Sequence, residues 1–325
     1  MAARLLNRVL GLCGLRLTRT GRKRAHTALD VELQTIVRLV SNEPTNYRRH
    51  LDLSAHASRA GNPFLAHACA RSAAWLAPVE PETQAAVLST ASQLPATLNV
   101  GHNTYHRLHA MAQALAELGC GPASSVLDVG GGHGALSAFL PDAGYFLADK
   151  TTSGVAASDL GAQYGQFDFA VASHVLEHVP VDQRELFLDS LLARANVVVL
   201  LNPFKSEVLD DTGHLRLVHE IVGSAWAEEH LQCTLPKIED VTSYARARGL
   251  EHSSRPMGSY TTTLAWVFVE HFASAAGRTE ELGVVNRYFN AKLSDLEQID
   301  PFPTGFLVTL RRVPVSSGRR RPSEQ

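Results

Sequence analysis

The chain has 325 residues, and its 45% hydrophobic and 19% charged residues supply a packed core and exclude an intrinsically disordered chain. Its longest apolar runs fall short of the ~18 residues of a membrane-spanning helix, and its four scattered cysteines form no CxxC pair, which fits a cytoplasmic protein without a disulfide framework. The net charge of −2 hides 18 basic against 31 acidic side chains between residues 25 and 310, a balance that predicts no nucleic-acid partner.

Residues 1–27 form a basic segment for which three roles are open. Seven of its first 24 residues are Arg or Lys and none is acidic. Wound as a helix, the segment gathers its leucines on one face, although Gly11 and Gly14 weaken that helix. A peripheral tether on the inner membrane surface and simple packing against the body are favoured over a mitochondrial transit peptide. A second basic run predicts a disordered tail over residues 313–325.

Residues 28–95 have the apolar spacing of helices. Apolar residues recur three or four positions apart up to Pro44, and two further helical segments flank Gly61 and end before Pro78. This pair resembles one tetratricopeptide unit. Only one such unit is evident, whereas a stable array needs about three. We therefore expect a helical hairpin docked on the next domain, with a docking site for a protein partner as the alternative.

The segment from Ser125 to Asp149 reads as strand, glycine loop, helix, strand and acid. A short apolar strand ends at Val129, a helix begins at Ala135, and Asp149 closes the second strand. This order is typical of a nucleotide-binding βαβ unit, because glycines let the backbone turn tightly and approach a ligand. The loop and the acid before it contribute Asp128, Gly130, Gly131, Gly132 and Gly134.

A second motif, FDFAVASHVLEHV at residues 167–179, narrows the kinds of nucleotide-binding domain to which the glycine loop can belong. Together the two motifs resemble the class I S-adenosylmethionine-dependent methyltransferases, in particular the type 11-like group and bacterial enzymes of glycan and secondary-metabolite pathways. The resemblance covers about 100–312. It implies an α/β, Rossmann-like domain with a seven-stranded sheet over residues 96–312, preceded by the N-terminal helical domain.

The resemblance also implies roles for particular residues in holding S-adenosylmethionine. Asp128 and the glycine loop would hold the methionine end, Asp149 the ribose and Asp159 the adenine. His174 would lie in the turn beside the departing methyl group, and Tyr105 and His106 would border the carboxylate end of the cofactor. One departure is that only nine residues separate the two last acids, too few for the helix and strand that usually lie between them.

Two histidine patterns raise the question of a metal site. His174 to His178 spell HxxEH, the inverted zinc-protease motif, which needs a helix to bring its histidines together. Here the motif follows an apolar strand and is cut short by Pro180. His102, His106 and His109 share a helix face without a neighbouring carboxylate or thiol. No metal is predicted at either place.

The remaining segments predict the acceptor side of the site. Inserts at 204–233 and 260–298 should form a lid over the carboxyl ends of the strands, where ligands of α/β sheets bind. A hydroxyl acceptor needs a general base, and an imidazole suits that role near neutral pH. The candidates, in order, are His214, His174 and His219.

The expected function is O-methylation of a small-molecule or glycan hydroxyl, with release of S-adenosylhomocysteine. Three alternatives remain: a protein methyltransferase that docks its partner on the helical domain, a non-catalytic scaffold, and a nucleotide-dependent oxidoreductase. The intact acids and glycines of the loop argue against the scaffold.

Overall fold

The structure, a computed structural model, describes residues 28–157, 160–206, 212–292 and 302–313. The predicted basic segment 1–27, Asp159 and the tail beyond residue 313 lie outside the described residues. Among the described helices, none is long and apolar enough to cross a membrane.

From residue 28 onward, the described part of the N-terminal region holds four helices. Asn46 and Asn62 begin the second and third helices by accepting hydrogen bonds from the backbone N–H groups of Arg48 and Leu65. Gly61 makes the turn between these two helices with φ of +70°, a conformation that favours glycine. The helices are α1 (Ala28–Asn42), α2 (Tyr47–Arg59), α3 (Pro63–Leu76) and α4 (Pro81–Ala91).

The described residues form a six-stranded sheet, whereas we predicted seven strands. Its order is β2-β1-β3-β4-β6-β5, with β1 to β4 parallel and β6 antiparallel to both of its neighbours. The strands are β1 (Ser125–Val129), β2 (Gly144–Ala148), β3 (Phe167–Ser173), β4 (Ala195–Asn202), β5 (Glu251–Met257) and β6 (Gly305–Arg311).

The seventh strand is missing where we expected the strand that ends at Asp159. Between β2 and β3 the described residues hold turns and a 3₁₀ segment at Ala162–Tyr164, but no strand. The physical reason is length, because a connection this short cannot hold a crossover helix and a further strand. As a result β2 becomes the edge of the sheet.

Helix α3 covers this exposed edge. The Ser72 hydroxyl accepts a hydrogen bond of 2.9 Å from the Leu147 N–H on the outer side of β2. Trp75 stacks on Phe167 with ring centroids 4.7 Å apart. An uncovered edge strand offers unpaired backbone groups to other chains. Here the helical region covers the edge of β2 that a seventh strand would otherwise pair with. One continuous apolar core joins the helices to the sheet.

The other helices flank the sheet or form the lid. The helix that we predicted after the glycine loop is a short 3₁₀ segment, Ala135–Phe139. The two predicted lid inserts meet, because apolar residues of α7 and α8 pack in a small separate cluster with Leu264, Val267 and Phe268 of α10. The helices are α5 (His102–Glu117), α6 (Arg184–Arg194), α7 (Gly213–Val222), α8 (Ala225–His230), α9 (Ile238–Ala247), α10 (Tyr260–Ala275) and α11 (Thr279–Lys292).

Candidate active site

The glycine loop lies at the carboxyl end of β1, closely surrounded by the protein itself. The Gly130 N–H donates to the Ala148 carbonyl at 2.8 Å. A Cβ on Gly130 would lie 2.5 Å from Val175 Cγ2, and one on Gly131 would lie 2.3 Å from Asp128 Oδ2. Gly132, with φ of +56°, has no atom within 4 Å of its missing Cβ. The loop is therefore closed on its inner side, and at Gly132 a ligand can approach the backbone.

Asp149 ties the end of β2 to this loop. Its Oδ2 accepts a 3.0 Å hydrogen bond from the Gly132 N–H. Its Oδ1 accepts from the N–H and hydroxyl of Thr151, at 2.9 and 2.7 Å, and from the Thr152 N–H at 3.0 Å. A carboxylate offers about four lone-pair sites. To take both ribose hydroxyls, Asp149 would therefore have to exchange some of these bonds for the ligand.

Asp128 is buried below the loop and is held in place by Tyr145. The Tyr145 hydroxyl donates to Asp128 Oδ2 at 2.5 Å, and the residue is only 2% exposed. Burial raises the pKa of Asp128 to about 7 and repulsion from Asp149 adds to this, while the tyrosine hydrogen bond lowers it. Since the pKa in the folded state exceeds that of an unfolded Asp, the stability that this group provides at low pH is lost as pH rises toward 7.

We expect Asp128→Asn to remove this pH dependence. Asn keeps an acceptor for Tyr145 but does not ionise. The difference in unfolding free energy between wild type and variant should change by about 3 kcal/mol between pH 5 and pH 8, in favour of the variant at pH 8. Urea unfolding across this range measures it, with exposed Asp182→Asn as control. Parallel pH profiles for wild type and Asp128→Asn would contradict the assignment.

A cavity of about 910 Å³ opens between the lid and the sheet. Its wall includes the start of α5, the turn after β3, and parts of α7, α8 and α10, so both predicted lid inserts contribute. Aromatic rings of Phe204, Trp226 and Tyr260 add an apolar surface. Seven of the 15 histidines of the chain line it: His102, His106, His174, His178, His214, His230 and His271.

The turn after β3 brings His174 and His178 into this wall, and Glu177 of the same turn is buried behind it. The segment Leu176–His178 is a 3₁₀ turn and not the helix of a zinc protease. His174 has φ of +57°, the only positive φ among the described non-glycine residues, and such strain is common at functional sites. Burial lowers the pKa of His174 well below its usual value, and nearby Arg107 adds to this. The imidazole is therefore neutral at pH 7, and the same lowering of the pKa makes it a weaker base than a free imidazole.

Of the three predicted general-base candidates, two line the cavity and one does not. His174 and His214 line the cavity. The ring centroids of His214 and Tyr260 are 5.2 Å apart. His219 is not among the residues that line this cavity, and its Nδ1 lies 3.2 Å from the Ser224 carbonyl.

Of the predicted cofactor residues, only some line the cavity. His106 lines the cavity with both ring nitrogens buried and without a hydrogen-bond partner, whereas Tyr105 is buried and stacks on His109. The glycine loop and Asp149 lie beside the cavity and do not line it, and the contact of Gly130 with Val175 links the two sides.

Sequence reasoning missed two residues of the cavity region, Glu177 and His230. Glu177 is 2% exposed, and Asn202 Nδ2 donates to its Oε2. Burial raises the pKa of Glu177 to about 7 and lowers that of Arg107, which lines the cavity. His230 ends α8, 52 residues after His178 in the printed sequence, and no local pattern pointed to it. The acid within the HxxEH motif was the one available signal for Glu177.

Comparison with known proteins gives one family and several solved structures. Residues 101–254 match a family described as "Methyltransferase domain", and no curated protein matches the chain. Magnesium protoporphyrin IX methyltransferase from Synechocystis PCC 6803, solved with bound SAH, is 16% identical, with 66% of this chain and 86% of that chain covered and a TM-score of 0.39. The 1,6-didemethyltoxoflavin-N1-methyltransferase from Burkholderia thailandensis is 16% identical, with 72% and 91% covered and a TM-score of 0.36.

A small RNA methyltransferase is 12% identical, with 64% of this chain and 25% of that chain covered and a TM-score of 0.38. Likenesses at this level carry no substrate information, so the assignment depends on the family match and on the motifs and sheet of the chain itself. Residues 101–254, just under half of the chain, match a methyltransferase domain, and this match together with the motifs of the chain supports a class I S-adenosylmethionine-dependent methyltransferase.

Proposed function

We propose that this enzyme methylates a hydroxyl group of a small molecule or glycan, with release of S-adenosylhomocysteine. The observation that supports this most is the histidine-lined cavity of about 910 Å³ under the lid. Its volume suits a small organic ligand. A neutral imidazole is the form of histidine that can take a proton from a hydroxyl as it attacks the methyl group.

The residues of the chain would mainly align the two reactants. Asp128, the glycine loop, Asp149 and the cavity-wall residue His106 are our proposed cofactor residues, with Asp159 and Tyr105 kept as weaker candidates. S-adenosylmethionine supplies an electrophilic methyl group when bound. Holding the acceptor oxygen in line with that group is worth several kcal/mol. His214 and His174 are the proposed bases, since both face the cavity.

The first experiment tests cofactor binding through Asp149. S-adenosylhomocysteine at ~100 times its Kd should stabilise the wild type by about 2.7 kcal/mol, seen as a rise in Tm, and NAD should not. Asp149→Ala should lose at least tenfold in affinity, because it loses both an acceptor for ribose and the bond to Gly132. Asp182→Ala, an exposed residue outside the loop, is the control. A shift with NAD alone would overturn the proposal.

An acceptor screen then tests the hydroxyl class by the release of S-adenosylhomocysteine. Monosaccharides and small phenols come first. One similar structure is a small RNA methyltransferase, so RNA is included as an arm, against our expectation from the acidic body of the chain. Cytoplasmic location, membrane contact by residues 1–27 and a protein partner at the helical region stay predictions.

A further inference from the structure

One group of side chains at the cavity has no part in the proposed methyl transfer. Glu177, His178 and His230 each offer a ligand atom, and these atoms lie within 4.8 Å of one another. The first two come from the turn after β3 and the third from the end of α8. His178 and His230 both line the cavity, and their ring centroids are 4.8 Å apart.

Glu177 gives the strongest sign that something is missing between these groups. Its side chain is fully buried, and its Oε2 accepts from Asn202. Its Oε1 is also buried and has no hydrogen-bond partner, with His174 Nδ1 3.5 Å away. A buried carboxylate oxygen without a partner costs about 1–3 kcal/mol or more, so a native structure rarely leaves one unexplained.

His230 is oriented as metal-bound histidines usually are. His230 Nδ1 lies 2.7 Å from the Trp226 carbonyl, which fixes the proton on that nitrogen and leaves Nε2 with a lone pair. A hydrogen bond from the second ring nitrogen to a backbone carbonyl is the common support for a metal-bound imidazole. Around His178, Nδ1 lies 3.4 Å from Cys233 Sγ and 3.7 Å from Glu229 Oε1.

We propose that Glu177, His178 and His230 bind one divalent transition-metal ion at the wall of the cavity. Two imidazoles and one carboxylate suit Zn²⁺, Co²⁺ or Mn²⁺, and three protein ligands leave a coordination position open toward the cavity. The set differs from that of a zinc protease, because His230 of the lid takes the place that the motif would give to His174. This replaces our sequence prediction that the chain holds no metal.

The ion would join the lid to the sheet. Glu177 and His178 belong to the sheet side, whereas His230 belongs to the lid helix α8. Metal binding should therefore stabilise the observed packing of α8 against the turn after β3 and raise the Tm without any cofactor present.

Metal titration of the full, tag-free chain tests this proposal. After chelator treatment, Co²⁺ is added and followed by its visible absorption, and Zn²⁺ by competition with a coloured chelator. We expect one equivalent to bind, with at least tenfold weaker binding in His230→Asn and in His178→Asn. His219→Asn removes a histidine of the lid outside the cavity wall and serves as the matched control.

Two results would overturn the proposal: no stoichiometric binding at ~100 µM metal, a concentration that would detect even a weak site, or binding that survives both histidine variants. Glu177→Gln is a third variant, but it alters a buried group. If this variant fails to fold, the two histidine variants carry the test. Since no step uses S-adenosylmethionine, the result is independent of the proposed methyl transfer. Binding of S-adenosylhomocysteine is measured on the same samples. If it is retained while metal binding fails, only the metal site is overturned and the proposed methyl transfer is not.

Discussion

Arg71→Met should lower the free energy of unfolding by about 3 kcal/mol. Arg71 lies on α3 of the helical region and is 5% exposed. Its Nη1 donates to the Ser137 carbonyl at 2.5 Å, its Nη2 donates to the Ala143 carbonyl, and its guanidinium lies 5.1 Å from the centroid of the Tyr145 ring. Met fills similar space but leaves two carbonyls without donors, each worth about 1–3 kcal/mol. For a chain of this size the Tm should fall by roughly 4–5 °C.

The control for this variant is Arg48→Met on α2. Its side chain is 74% exposed, so the change should stay within about 0.5 kcal/mol. Arg71→Lys should fall between the two, because one ammonium cannot reproduce the two-pronged geometry of a guanidinium. Urea unfolding of the four proteins gives the comparison. If Arg71→Met unfolds like Arg48→Met, the helical region does not hold the segment between the glycine loop and β2.

Local patterns were enough to predict the elements around the glycine loop. The strand before Gly130, the strand that ends at Asp149 and the lid inserts all carry their signal within a few residues. The sheet was harder. Only nine residues separate Asp149 from Asp159, too few for a helix and a strand, whereas the resemblance implies a seventh strand at this place.

The cover of the sheet edge could not be predicted from the sequence. It depends on a hydrogen bond between Ser72 and Leu147, which are 75 residues apart. Nothing in α3 marks Ser72 or Arg71 as different from ordinary helix residues. The same limit explains the missed metal ligands, because Glu177 and His178 meet His230 only through the packing of the lid. Contacts between distant segments are set by tertiary packing, which periodicity and propensity do not encode.

Gly134→Ala should disrupt the contact between α3 and the glycine loop. Gly134 has φ of +67°, and a Cβ there would lie 2.3 Å from the Cβ of Ala68 on α3. The left-handed backbone alone costs about 1–2 kcal/mol for a residue with a side chain. The clash adds to this and must move either the helix or the loop. We expect a total loss of about 3 kcal/mol and at least tenfold weaker binding of S-adenosylhomocysteine.

A double variant, Ala68→Gly with Gly134→Ala, separates the cost of the left-handed backbone from the cost of the clash. Ala68→Gly alone should cost about 1 kcal/mol through helix propensity. In the double variant the clash is gone, so its loss should be smaller than the sum of the single losses by 1 kcal/mol or more. Gly61→Ala is the matched control, since it has φ of +70° and no atom within 4 Å of its missing Cβ. It should show the backbone cost alone and leave ligand binding unchanged. Strictly additive losses would mean that helix α3 and the loop do not touch at this point, and the cofactor side of the site would then owe its shape to the loop alone.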